Sequence, residues 1–236
     1  MATSGGPPPS RRALVVSWAQ VVGGIAVATA LAMVEPTGLL RANLAGVAAL
    51  LFVLVPDVRI RARGEAWAAY GAPGWGDGDG RAWREWGRGA LAGLAVSAVV
   101  LPLFAAALVA GSRLAGRPVA FAPRLPDGLL LAAAVQLLVV ALPEELFYRG
   151  WMQTAWARHG PPRRVLGADL GPGFVATQAL FAVGHLVTLD PARLLTFFPG
   201  LLFGWLRART GSVAAPVVAH ALSNLLVLFL RASLTP

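Results

Sequence analysis

The chain has 236 residues, of which 57% are hydrophobic and only 13% are charged, and its mean hydropathy is +0.66. Soluble domains carry about 25% charged residues, so this composition excludes an ordinary soluble protein and predicts an all-α, polytopic membrane helix bundle. Cysteine is absent, which excludes disulfides, thiolate metal sites and a cysteine nucleophile.

The net charge of +9 comes from 20 arginines without a single lysine. A pI near 11.6 would favour nucleic-acid binding in a soluble protein. In a membrane protein the same arginines are expected in loops, where they set the topology. We therefore expect membrane lipid as a partner and no nucleic acid.

Seven apolar segments are candidate spans, since a helix needs about 20 apolar residues to cross the hydrocarbon core. They cover residues 13–34, 42–55, 89–110, 128–150, 174–189, 194–206 and 213–230. The second is short and is expected to end at Pro56-Asp57, while the fourth could continue as helix to Arg158.

The chain divides into three predicted parts. Residues 1–12 are rich in Gly, Pro and Ser and are expected to be a disordered cytosolic N-terminus. Residues 13–127 hold the N-terminal spans, and residues 128–236 hold the polar motifs described below. Between the second and third spans, the 57–88 segment mixes tryptophans with charges, which predicts an amphipathic loop with an interfacial helix at headgroup level. Trp151 and Trp156 are likewise interpreted as interface anchors.

The arginines also predict the orientation. With the N-terminus in the cytosol and seven spans, 14 arginines fall in cytosolic pieces and 6 in outer pieces. The positive-inside rule then favours a cytosolic N-terminus in a plasma (inner) membrane. Losing the short second span would invert everything after it.

The fourth span carries two adjacent carboxylates and a guanidinium in Glu144-Glu145-Leu-Phe-Tyr148-Arg149. Charges within a bilayer cost several kcal/mol and usually mark a functional site. Adjacent helical residues point about 100° apart, whereas residues four apart share a face. We therefore expect Glu145 to pair with Arg149, and Glu144 to face a cavity as a desolvated general base. Pro143, which lacks an amide proton, could open the helix just before the pair. The alternative is a structural ion pair between helices.

Two later spans add His185, in Phe181-Ala-Val-Gly-His185, and His220 with Asn224, in His220-Ala-Leu-Ser-Asn224. At 1.5 Å per residue, Glu144 lies about 24 Å from the outer start of its span, and His185 and His220 lie about 16 and 10 Å from the cytosolic starts of theirs. All three depths fall in the middle or cytosolic half of the membrane. The sequence therefore predicts one shared site, although His185 alone is more typical of helix packing, and interhelical hydrogen bonding is the alternative for His220 and Asn224.

These three motifs, in this order on successive apolar segments, resemble those of the CPBP family, the type II CAAX prenyl endopeptidases and bacteriocin-processing (Abi) enzymes. The resemblance covers roughly residues 128–232 and extends to every motif position. It implies an intramembrane endopeptidase, in which Glu144 and His185 activate water, His220 and Asn224 stabilise the oxyanion, and Glu145 and Arg149 order the site. A metal-free glutamate mechanism is favoured, with no cofactor; zinc held by Glu144, His185 and His220 is the alternative.

The resemblance implies a membrane-anchored peptide or protein as substrate, and it includes a myxosortase-like branch that removes C-terminal membrane tags. Two other functions stay open at this stage. One is a non-catalytic immunity or scaffold protein of the same fold. The other is a proton-coupled transporter with a Glu/His relay, against which the small size and the lack of an inverted repeat count.

Overall fold

The computed structural model describes residues 7–74, 80–114, 116 and 120–235. Seven main helices run through these ranges. They are α1 (Arg11–Val34), α2 (Leu39–Arg61), α3 (Arg81–Leu114), α4 (Leu129–Ala157), α5 (Phe174–Gly184), α6 (Phe197–Thr210) and α7 (Ala214–Ser233). Short 3₁₀ turns cover Trp67–Tyr70, His185–Thr188 and Pro191–Thr196. Two small antiparallel sheets complete the fold, β1 (Ala120–Phe121) with β4 (Leu234–Thr235) and β2 (Arg163–Val165) with β3 (Ala168–Leu170).

The prediction of an all-α membrane bundle is confirmed. Five helices within the described ranges, α1 to α4 and α7, are long and apolar enough to cross a bilayer. The other two are shorter: α5 with its 3₁₀ extension covers Phe174–Thr188, and α6 has 14 residues. At 1.5 Å per residue, α6 is about 21 Å long, which is less than the roughly 30 Å of a hydrocarbon core. The chain is a multi-pass membrane protein.

The structure corrects two expectations about the N-terminal half. The second span does not end at Pro56-Asp57, because α2 continues to Arg61 with Pro56 buried inside it. Helix packing compensates for the backbone bond that a proline removes, as is common in membrane helices. The predicted interfacial helix in the 57–88 segment is only the one-turn Trp67–Tyr70, since the sequence from Arg81 onward belongs to α3. Residues 75–79 lie outside the described ranges.

At the chain start, α1 begins at Arg11, where the Ser10 hydroxyl accepts a hydrogen bond from the Ala13 amide. Disorder was expected for residues 1–12. Of these, residues 1–6 lie outside the described ranges, and Arg11 and Arg12 belong to α1. Residues 7–9 lie against other parts of the chain: the Pro7 carbonyl accepts from Arg63 Nη1 at 2.7 Å, and the Pro9 carbonyl lies 2.8 Å from His159 Nε2.

Seven helices joined by turns place the start of α1 and of α7 at the same end of the bundle. At that end Glu65 accepts hydrogen bonds from Tyr70 and Arg158, which tie the α2–α3 connection to the end of α4. Burial opposes ionisation of Glu65, but these hydrogen bonds outweigh it and hold the pKa of the carboxyl below its usual range. Burial, reinforced by the Glu65 contact, raises the pKa of Tyr70 to about 12.

Both ends of α7 are bonded to other segments. At its start, the Val213 amide donates to the Gly71 carbonyl at 2.9 Å. At its end, the Ser233 hydroxyl accepts from the Arg124 amide at 2.9 Å, and β4 pairs with β1 just beyond. This helix carries His220 and Asn224, so its position is fixed relative to the α3–α4 connection as well as to the α2–α3 connection.

The main core lies where α1, α2, α4 and α5 meet, and it is rich in aromatic side chains. Trp151 and Trp156 belong to this core, being 1% and 9% exposed. Their interpretation as interface anchors is therefore wrong. Both follow the polar motif on α4, and the helix faces they occupy are covered by α2 and α5 rather than by headgroups.

Candidate active site

The centre of α4 departs from α-helical hydrogen bonding on both sides of the two glutamates. Val135–Ala141 and Leu146–Met152 are π-helical, with the α-helical Leu142–Glu145 between them. Pro143 lies in the short α-helical piece and cannot donate a backbone bond. Single π-turns within α-helices are frequent at functional sites, and here two of them bracket the predicted motif.

Glu145 joins two of the three motifs directly. Its Oε1 accepts from Arg149 Nη1 and lies against His220 Nδ1, both at 2.8 Å. The predicted pairing of Glu145 with Arg149 is present in the structure, and both side chains are 0% exposed. The contact with His220, on α7, is new, since the sequence interpretation assigned that imidazole to oxyanion binding or, as the alternative, to zinc. A carboxylate at Nδ1 fixes the ring orientation and leaves Nε2 as its free nitrogen.

Arg149 is enclosed by aromatic rings and one carbonyl. Its guanidinium lies 4.1 Å from the centre of the Phe181 ring and 5.4 Å from that of Phe203, and Nη2 donates to the Gly200 carbonyl at 3.3 Å. A methyl group at Gly200 would lie 3.2 Å from this nitrogen, so the absence of a side chain permits the approach of α6. A cation desolvated to this extent needs such compensation.

Glu144 lies on a different face from Glu145, as the 100° rotation predicts. It is half-buried, and its Oε2 is buried without a hydrogen-bond partner among the described residues. Its carboxylate acts electrostatically on Tyr148, one turn further along α4. A half-buried carboxylate with one unsatisfied oxygen has the capacity to accept a proton.

His185 is half-buried at the end of α5, where its Nδ1 lies 2.9 Å from the Phe181 carbonyl. The Phe181 ring lies between both imidazoles, 4.6 Å from the His185 ring and 6.0 Å from the His220 ring. On its other side the His220 ring stacks on Phe203 at 5.0 Å. Phe181 thus brings the second and third motifs together, but Glu144 and His185 make no hydrogen bond to each other in the described structure.

Asn224 completes the set, one helical turn beyond His220. Its Nδ2 donates to Gln136 Oε1 at 2.8 Å. Sequence reasoning missed Gln136, which lies nine residues before Glu145 and belongs to none of the three motifs. A second polar pair was also missed: Gln178 donates to Gln153, and Gln153 in turn donates to the Gly204 carbonyl.

No group of three metal ligands is found among the described residues. Glu144, His185 and His220, the zinc set that the sequence left open, do not converge into a group of three ligands, and no other group of His, Asp and Glu does so within the described ranges. A cavity of about 720 Å³ lies elsewhere, between the start of α3 and the end of α6. None of the six candidate side chains lines it.

The part of the chain that holds this arrangement matches a known family. Residues 126–226 match the model of the type II CAAX prenyl endopeptidase Rce1-like family. The chain carries an Rce1-like segment. The resemblance to CPBP intramembrane proteases is thereby confirmed for these residues, which include all six candidate side chains and Gln136. No curated protein and no solved structure matches the chain.

Within the Rce1-like segment, the geometry separates the six residues into two groups. Glu145, Arg149 and His220 are in direct contact. Glu144, His185 and Asn224 make no hydrogen bond to one another in the described structure.

Proposed function

We propose that the protein is an intramembrane endopeptidase that hydrolyses a peptide bond in a membrane-anchored peptide or protein. The observation that supports this most directly is the shared Oε1 of Glu145, in contact with both Arg149 and His220 inside a segment that matches an endopeptidase family. A buried carboxylate that orients both a guanidinium and an imidazole is more than helix packing requires.

In the proposed reaction, Glu144 takes a proton from water while the water oxygen attacks the carbonyl carbon of the scissile bond. Its unpartnered Oε2 is the accepting atom, and His185 positions the water. The carbon–nitrogen bond then breaks as the proton passes from Glu144 to the leaving amine. The products are a carboxylate and an amine, and no redox change occurs.

His220 and Asn224 stabilise the oxyanion that forms on the carbonyl oxygen. His220 Nδ1 lies against Glu145, so in this scheme the ring uses its other nitrogen, Nε2, to donate to the oxyanion. Arg149 holds Glu145 in place and balances its charge. No metal ion takes part in this scheme. The end of the bundle that holds the start of α1 faces the cytosol, in a plasma (inner) membrane, because most arginines gather there.

The test is cleavage of a panel of membrane-anchored peptides by the purified protein, with and without a chelator. Glu144→Gln and His220→Ala should each lower kcat at least about a hundredfold. The matched controls are Glu85→Gln, in an exposed position on α3, and His159→Ala, which lies outside the site; both should leave cleavage unchanged.

Cleavage by the parent that survives the chelator and is lost in Glu144→Gln supports the proposal. Cleavage that needs zinc would replace the mechanism with a metal-dependent one. If Glu144→Gln cleaves as well as the parent, the role of Glu144 is wrong. Failure of the parent on every peptide, including the native membrane proteins of its host, would favour the non-catalytic scaffold.

A further inference from the structure

Gln136 is a polar side chain in a stretch of α4 that is otherwise apolar, Leu-Leu-Leu-Ala-Ala-Ala-Val-Gln136-Leu-Leu-Val-Val-Ala. It is half-buried, and its Oε1 accepts the 2.8 Å hydrogen bond from Asn224. Burying an amide in a bilayer is costly unless it has a hydrogen-bond partner. Its partner, Asn224, is one of the two candidate site residues on α7, the other being His220.

The backbone of α4 brings Gln136 to the face that contacts α7. Nine residues separate Gln136 from Glu145, which is about two and a half turns of an α-helix, so a regular helix would direct them to opposite faces. Both nevertheless contact α7, Glu145 at His220 and Gln136 at Asn224. Gln136 itself lies in the π-helical Val135–Ala141, whose wider turns reduce the angle between the two side chains.

The two contacts follow the antiparallel course of the helices. Moving one turn along α7 from His220 to Asn224 corresponds to moving back along α4 from Glu145 to Gln136. Each proposed oxyanion donor on α7 is therefore held by one acceptor on α4, a carboxylate for the imidazole and an amide oxygen for the amide.

We infer that Gln136 is a positioning residue for Asn224. This inference rests on the proposed function. The Asn224 amide has two protons. Gln136 accepts one of them, which fixes the plane and the direction of the amide, and leaves the other for the oxyanion. A preorganised donor stabilises the transition state without reorganising during the reaction.

The experiment measures kcat and KM for Gln136→Leu, Asn224→Ala and the double variant on a peptide that the parent cleaves. Misplacing a reacting or stabilising group by about 1 Å costs up to a hundredfold, so Gln136→Leu should lower kcat between about tenfold and a hundredfold with KM unchanged. Asn224→Ala should lower kcat by about 10² to 10³. In the double variant, Gln136→Leu should add nothing further, because its effect is exerted through Asn224.

A matched control is Gln20→Leu, an exposed glutamine on α1 whose amide oxygen accepts from Arg59, and it should leave kcat unchanged. The melting temperature of each variant in detergent separates a positioning role from a purely structural one. An unchanged kcat in Gln136→Leu, an equal loss in the Asn224→Ala background, or a loss of kcat only in proportion to lost folded protein would each overturn the inference.

The two proposals fail differently. If the parent cleaves and Asn224→Ala is impaired while Gln136→Leu is not, only the role of Gln136 is wrong. If the parent cleaves and Asn224→Ala is fully active, the oxyanion role of Asn224 is wrong and the inference falls with it. If the parent cleaves nothing, both fall together.

Discussion

Two adjacent carboxylates on α4 have opposite surroundings. Glu145 is fully buried between Arg149 and His220, whereas Glu144 is half-buried with one oxygen unpartnered. Glu145 therefore stabilises the packing of the helices, whatever it does in the reaction. Glu144 has no hydrogen-bond partner among the described residues. The rotation of about 100° between adjacent helical residues accounts for these different surroundings.

Glutamine substitutions should separate the two residues. Glu145→Gln removes the carboxylate that is paired with the buried Arg149, and breaking a buried pair costs about 3–5 kcal/mol. Its melting temperature should fall by about 6 °C or more, given about 2–4 °C per kcal/mol for a chain of this size. Glu144→Gln removes no described hydrogen bond and should melt within about 2 °C of the parent.

The measurement is thermal unfolding in detergent, followed by tryptophan fluorescence. Equal melting temperatures for both variants would show that the Glu145 pair contributes nothing to stability. A large fall in Glu144→Gln would mean that Glu144 has a partner that the geometry does not reveal.

Some contacts of individual residues could be predicted from the sequence, and others could not. Spacing of four along a helix was enough to predict the Glu145–Arg149 pair and the separate face of Glu144. The contact of Glu145 with His220 could not be predicted, because it joins residues 75 positions apart and depends on how α4 and α7 are packed. Gln136 was not predicted for another reason, since regular α-helical periodicity directs it away from the site.

At the scale of the helices, close approach depends on a few glycines. In α3, a methyl group at Gly93 would lie 2.4 Å from the Ala215 carbonyl oxygen of α7, a backbone atom that cannot move aside. Further along the same helix, a methyl group at Gly111 would meet nothing within 4 Å. Small residues at helix crossings are typical of membrane proteins, where packing replaces the hydrophobic effect between helices.

These two glycines offer a matched pair of substitutions. Gly93→Ala should push α3 away from α7 and lower the free energy of unfolding by about 1–3 kcal/mol, as overpacking usually does. Gly111→Ala should be neutral or stabilising by up to about 1 kcal/mol, because alanine is the better helix former. Melting temperatures of both variants in the same detergent test this, and equal values would contradict it.

The positions of the helices were predicted well, but several of their limits and their irregularities were not. Hydropathy located all seven segments, because apolar runs of sufficient length leave few alternatives in a bilayer. It misjudged Pro56, since neighbouring helices compensate for a proline inside a membrane helix. The π-helical stretches of α4 have no signal in composition or spacing, and only the packed structure reveals them.

For the whole molecule, the two ends of the helix bundle allow its orientation in the membrane to be tested. The β2–β3 hairpin lies at the end that holds the start of α1, and the last turn of α3 lies at the opposite end. Leu166, in the hairpin, and Leu114, at the end of α3, are 82% and 90% exposed. Because the chain has no cysteine, each position can carry a single reactive thiol without further changes.

Labelling of intact cells with a membrane-impermeant maleimide tests the orientation. Leu114→Cys should react from outside, and Leu166→Cys should react only after the cells are opened. The reverse pattern would place the N-terminus outside. Labelling of both variants in intact cells would mean that the two residues do not lie on opposite sides of the membrane.

The fixed ends of α7 have a consequence for access to the site. A substrate that is itself anchored in lipid must reach the buried Glu145–His220 contact from the side, through a gap between helices. Bonds at Val213 and Ser233 prevent α7 from swinging outward. Under the proposed function, we therefore expect a lateral opening at the short α5 and its 3₁₀ extension, so that His185 moves while the proposed oxyanion donors on α7 stay in place.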